Sequence, residues 1–308
     1  MTWARLAFRL QPSPMSFAAV VSLGLAALAG WLALSLPAML AECASSPAAH
    51  TCGTVSLFGS PMGDSPLMLN LAIAVAMYAV PIVLGASILP AEIERRTAMI
   101  AWPLARSRSR WLAWRAGWPL VIGLMLIGLM AVAAEVLAQA RAGDSDPGFL
   151  LHGTRGISLM TRALLMFAVA LAVGAIVGRL LPALLVAAAV ALGLSMLIEV
   201  LPPYGVASVE LTEAESSRGY PLTTDTGYRA ADGRPIGEDE ANEISQAAFA
   251  EYSPDFPPDS ILPYTVSYGI ASTRYAEVLV RESAVLLGAT VLVTGVAASV
   301  VQRRPPDR

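Results

Sequence analysis

The chain has 308 residues, of which 56% are hydrophobic and only 14% charged, with a formal net charge of −3 and a mean hydropathy of +0.62. Soluble domains carry about 25% charge, so a chain built only of soluble domains is excluded and much of the sequence belongs in lipid. All 20 basic residues are arginine, a bias of base composition; without lysine the chain cannot form the GxxxxGK[ST] phosphate loop, so any ATP hydrolysis has to take place on another subunit.

Residues 1–16 are short and basic, with Arg5 and Arg9 interleaved with Trp3, Leu6, Phe8 and Leu10. The apolar run that follows, 17–40, is longer than the core of a signal peptide. The expectation is an uncleaved first span with an amphipathic lead-in lying along the membrane. Five further apolar runs follow at 67–89, 118–138, 160–177, 180–201 and 278–301. Each suits a helix crossing a hydrocarbon layer of roughly 30 Å. Pro37 and Pro81 fall inside spans, where neighbouring helices can satisfy the freed backbone groups. Only Gly178 and Arg179 separate the fourth and fifth spans, which predicts a tight helical hairpin.

The stretch 90–118 between the second and third spans holds six arginines (Arg95, Arg96, Arg106, Arg108, Arg110, Arg115) against Glu92 and Glu94. It also holds four of the six tryptophans, Trp102, Trp111, Trp114 and Trp118. A basic loop edged with tryptophan is the mark of a cytoplasmic loop at a membrane surface. A helix is expected from about residue 104 to 118, with Trp111, Arg115 and Trp118 on one face at i, i+4 and i+7. The segment 41–66 has no arginine, and 202–277 carries twelve acids before Glu277 against four arginines. The arginine bias therefore places both termini in the cytoplasm. The expected class is an all-α membrane protein of six transmembrane helices, with an extracytoplasmic segment of roughly 75 residues at 202–277 between helices five and six. That segment is rich in Pro, Gly and acids, with a helix expected at 238–252. It reads either as an irregular cap over the span ends or as a gate or vestibule.

Residues with the chemistry of an enzyme are hard to find. His50 and His152 fall in different outer loops and read as solvated, and HExxH, CxxC and GxSxG are absent. No catalytic residue and no metal site are expected. Mid-span positions read as apolar; Glu135, Glu199 and Glu277 read as interfacial carboxylates, and Arg162 and Arg179 as snorkelling at span ends. An ion-coupled carrier or channel is disfavoured on that ground. Small residues are dense in the spans, as in ALAVGAIVG at 170–178, and permit close helix packing. Cys43 and Cys52 are nine positions apart in one outer loop, where a single disulfide is plausible in an oxidising compartment.

The loop EIERRTAMIAWPLARSRSRWLAWR, which follows one span and leads into another, resembles the permease subunits of ABC-2-type ABC transporters, especially their actinobacterial branch. Glu92 and Glu94 match an acidic exit from the second span, and Arg96-Thr97 the step after it. Ala101-Trp102-Pro103 and Ser109-Arg110-Trp111-Leu112 match the way into the third span. The stretch from Phe167 to Leu171 and on to Arg179-Leu180-Leu181-Pro182-Ala183 is similar to the family's hairpin of spans four and five. A frequent glycine is replaced by Arg96 and a frequent lysine by Arg115, which keeps the charge.

The resemblance implies one ABC-2-type transmembrane domain over 1–308, with 90–117 as its coupling loop. That loop would dock on a cytosolic ABC ATPase through Glu92, Glu94, Arg95, Arg96, Thr97, Arg106, Arg108 and Arg110. The chain would be the multi-pass permease subunit of an exporter in a bacterial cell membrane, not itself an enzyme. It would need no cofactor of its own; ATP and magnesium would bind the partner ATPase. A second permease, copy or paralogue, and membrane lipid are the other expected partners, with no nucleic acid. The alternative is a non-transporting scaffold or sensor whose segment 202–277 binds a ligand outside.

Overall fold

A computed structural model describes residues 12–45, 68–94, 107–200, 204–212, 215, 219–252 and 262–304, with the side chains of 199 and 200 left aside. Cys52, Arg95, Arg96, Thr97, Trp102 and Arg106 lie outside the described residues, as does the lead-in at 1–11. The chain divides into two compact units, one formed by 1–143, 151–201 and 279–308, the other by 144–150 and 202–278.

The first unit is helical: α1 (Pro12–Ser45), α2 (Met68–Ala86), α3 (Ile88–Glu94), α4 (Arg108–Ala142), α5 (Gly156–Val177), α6 (Leu180–Val200) and α8 (Tyr275–Arg303). Among the described residues six helices are long and apolar enough to cross a membrane, α2 and α3 together making one of them. Each predicted span is present, and several extend beyond their apolar run. The clearest case is α4, whose 35 residues reach about 52 Å at 1.5 Å per residue. The helix expected near residues 104–118 and the third span are thus one continuous rod.

Local chemistry explains the ends and breaks. Ser107 caps α4, its Oγ accepting the Arg110 N–H at 3.3 Å, which satisfies one of the orphan donors of a helix start. Gly178 ends α5 in the left-handed region (φ 70°, ψ 5°), its N–H donating to the Gly174 carbonyl. This is the turn a two-residue helical hairpin needs. Between α2 and α3 the helix breaks at Ser87, which is buried and donates from Oγ to the Leu84 carbonyl at 3.1 Å. Pro81 lies upstream of that break, and its ring nitrogen cannot donate to the ladder.

The centre of the bundle is α2 with α5. In the apolar window of α5, 72% of residues are buried, against 22% in α6 and in the span that contains α8. The close approach of α2 and α5 depends on glycine. A Cβ on Gly85 would lie 2.7 Å from the Phe167 carbonyl oxygen, and one on Gly174 would lie 3.3 Å from the Ala86 carbonyl oxygen. Small residues let backbones meet where lipid offers no hydrophobic drive. Outward positions such as Leu34, Met125, Val291 and Leu292 are exposed and apolar, as suits a face turned to acyl chains.

The second unit contains what the sequence reading did not anticipate, a four-stranded antiparallel sheet. Its strands β1 (Val209–Glu210), β2 (Leu222–Arg229), β3 (Pro235–Ile236) and β4 (Tyr264–Ile270) are ordered β1-β4-β2-β3. Helix α7 (Glu238–Tyr252) stands where 238–252 was predicted helical, and it packs on β2. The helical description therefore holds for the candidate spans, and the segment between the fifth and the sixth is an α+β unit in place of an irregular cap. Its small core gathers Phe149, Val206, Ile270 and Val278, with the Phe149 and Tyr275 rings edge to face at 5.3 Å.

Candidate functional site

Several helix ends meet around α3, and the start of α6 and the ends of α5 and α8 each carry a charge of the sign the helix dipole favours. Glu94 Oε1 accepts the Leu180 N–H at 2.8 Å and so caps the start of α6, where negative charge is stabilised. Arg304 donates from Nη1 to the Ala175 carbonyl at 2.5 Å in the last turn of α5. Arg108 donates from Nη1 to the Arg304 carbonyl at 2.6 Å and to the Gln302 carbonyl at 3.3 Å, at the end of α8. Cations at helix C-termini complement the negative end of the dipole. The Arg304 guanidinium fills the space beside Gly178 that a Cβ would need.

The elbow α3 itself is tied on three sides. Pro90 rests against Gly174 of α5, Glu94 holds α6, and Glu92 pairs with Arg115 of α4, both half-buried. Trp111 and Trp118 pack against the bundle core on the same side as Arg115, whereas Trp114 is exposed. Arg110 is exposed in the first turn of α4. Of the residues proposed from sequence, the structure thus brings Glu92, Glu94 and Arg108 into contact with other helix ends and leaves the Arg110 side chain at the surface. Directional polar bonds thus tie α3 and the start of α4 to the ends of α5, α6 and α8.

At the other end of α5 stands a second polar cluster that the sequence reading missed. Glu282, two turns into α8, is completely buried, and Arg162 of α5 is nearly so. Arg162 Nε donates to Glu282 Oε1 at 2.8 Å, and Ser158 Oγ donates to Glu282 Oε2 at 2.9 Å. His152 Nε2 lies 3.3 Å from the same Oε2. Beside it Arg155, 1% exposed, reaches Glu135 of α4 at 2.5 Å. The connecting loop closes over both pairs with two glycines at positive φ. A Cβ at Gly153 would strike the Arg162 guanidinium, and one at Gly156 would lie 3.1 Å from Glu135 Oε2.

This cluster corrects four expectations. The run 278–301 is not wholly apolar, because Glu282 lies buried five residues into it. Arg162 does not snorkel to water but turns inward to a carboxylate. His152 is not a solvated loop residue, being 17% exposed beside Glu282. Glu135 is not a plain interfacial carboxylate, since it neutralises a buried arginine. The signal was present in the sequence as a lone acid five residues into the run 278–301; ionisable groups in a span mark function or a partner. Among the described residues, no group of three His, Cys, Asp or Glu side chains could hold a metal ion.

A family model, ABC-2 membrane transporter related, matches residues 17–201. The match covers more than half of the chain and includes α1 to α6 with α3 among them. No curated protein and no solved structure matches the chain.

Proposed function

The chain belongs to the ABC-2 membrane transporter related family, and from that premise we propose that it is the permease subunit of an ATP-driven exporter. The observation that carries the reading is the elbow, where polar bonds join Glu92, Glu94, Arg108 and Arg304 to the ends of four helices beyond α3. A cytosolic ATPase binds 90–117, including Arg95, Arg96, Thr97 and Arg106, and its nucleotide-driven closure moves α3 and the start of α4. Because α4 runs as one helix from Arg108 through Pro119 to Ala142, that movement enters the bundle along a single element. ATP and magnesium stay on the ATPase, and this chain catalyses no bond change. Two permeases, copies or paralogues, enclose the path, in a bacterial cell membrane with both termini and the elbow on the cytoplasmic side. The arginine density of 90–118 supports that orientation.

The test is purification from the native membrane in mild detergent. An ATPase that co-purifies, and whose hydrolysis rate depends on this chain, supports the proposal. A chain recovered without any ATPase contradicts it and favours the sensor reading, for which the folded unit at 202–278 would supply the ligand-binding part. A Cys43–Cys52 disulfide is a separate proposal, tested by a non-reducing mass spectrum; two free thiols in protein from the native membrane would reject it.

A further inference from the structure

Helix α8 is held differently from every other span. α1 runs close along α4, and α2 close along α5, but among the described residues no other element runs close along the backbone of α8. Its contacts are side-chain tips: Leu286, Ala289 and Val293 on one apolar cluster, Ala297, Val300 and Val301 on the other. Most of its surface is exposed and apolar, including Val280, Val291 and Leu292. In a bilayer such a face is nearly indifferent between a helix and acyl chains, because both are hydrocarbon. What fixes the position of α8 is then its polar contacts, and these lie at its two ends: Glu282 on Arg162 and Ser158, and the Arg304 and Arg108 bonds at the elbow.

A buried ion pair is a poor choice if adhesion is all that is needed. Desolvating both charges offsets their attraction, and an apolar pair of similar size serves stability as well or better. A directional pair does offer two discrete arrangements, bonded and separated. Glu282 is about two turns from the start of α8, and His152, 17% exposed, lies beside its Oε2. Water can follow as the helices part. The neighbouring Arg155–Glu135 pair is the internal contrast, because it joins α5 to α4, and those two helices are closely packed.

We infer that the contact of Glu282 with Arg162 and Ser158 is a separable latch that holds α8 on α5 in this state and releases it when the bundle rearranges. The latch is a property of this chain alone; its release during ATP turnover rests on the exporter reading.

The experiment is amide hydrogen exchange on the full chain in lipid nanodiscs. Glu282→Gln is expected to speed exchange over 283–290 about tenfold relative to wild type, while 163–177 is unchanged. Replacing both partners by leucine (R162L with E282L) removes the polar hold without leaving a buried charge and is expected to speed the same segment about tenfold, as Glu282→Gln does, while the thermal midpoint stays near wild type. Glu135→Gln should leave 283–290 as in wild type. The inference is overturned if wild-type 283–290 exchanges as slowly as 163–177, or if the double leucine variant exchanges like wild type. The leucine pair decides the matter even where Glu282→Gln fails to fold. With a partner ATPase added, ATP should speed 283–290 in wild type and not in the leucine pair. Failure to find any ATPase removes the exporter reading and leaves the nanodisc comparison standing.

Discussion

The two polar ends of α5 use the same few residue types for opposite purposes. At the elbow, Glu92, Glu94, Arg108 and Arg304 are half-buried or exposed, and several of their partners are backbone groups at helix termini. At the other end, Arg162 and Glu282 are sealed in, and side chain meets side chain. Half-exposed charges on helix ends can exchange with water or a docking protein at little cost, which suits a surface that receives force. Sealed charges cannot, so their separation is a discrete event. The contrast teaches that burial, more than residue type, decides whether a charged contact works as a handle or as a catch.

The largest expected effect breaks the sealed end. Arg162→Leu or Glu282→Leu alone removes one side of this buried ion pair and should cost ~3–5 kcal/mol in unfolding measurements, with the two together costing less than either alone. Two single losses that simply add in the double variant would refute the pairing. Next comes Arg155→Met, which should cost ~2 kcal/mol. The loss is smaller because its partner Glu135 is one-third exposed and can hydrate once the arginine is gone. At the elbow, Glu94→Ala removes the cap of α6 and should lower stability by only ~1 kcal/mol. An elbow variant that costs as much as Glu282→Leu would erase the distinction between the two ends.

The smallest effect is expected in the second unit. The Glu210 carboxylate hydrogen-bonds Arg229 and holds that guanidinium above its ordinary pKa. An arginine is protonated throughout the accessible range, so the raised Arg229 adds no pH dependence of its own. Glu210→Gln should leave the melting temperature within about 1 °C of wild type, as exposed pairs contribute little. A clear drop would show that the strands depend on that pair.

How much was legible follows from the same physics. Runs of apolar residues announced the six spans, and Gly178 beside Arg179 announced the hairpin, because helix length and αL glycine are local signals. At the elbow Glu92, Glu94 and Arg108 stood out because they crowd one short stretch, but their partners at Leu180 and Arg304 lie 86 and 196 positions away and were not legible. The sealed cluster was not legible either, since Glu282 and Arg162 are 120 positions apart and each alone looks like a stray charge near a span end. The sheet escaped for another reason. Strand β2 reads LTTDTGYR, largely exposed and without alternating apolar residues, so polar composition hid its β-branched threonines. Strand β4, YTVSYGI, carried the stronger signal in its aromatic and β-branched residues.

The central claim is that energy enters this chain through the elbow. It is tested most directly by ATP turnover of the purified complex in vesicles, comparing wild type with Glu92→Ala, Glu94→Ala and Arg110→Ala combined, at matched thermal stability. The account expects the ATPase to remain bound or fall away while its dependence on this chain is lost, with turnover returning to that of the ATPase alone. Turnover that stays at the wild-type level in the triple variant would contradict it.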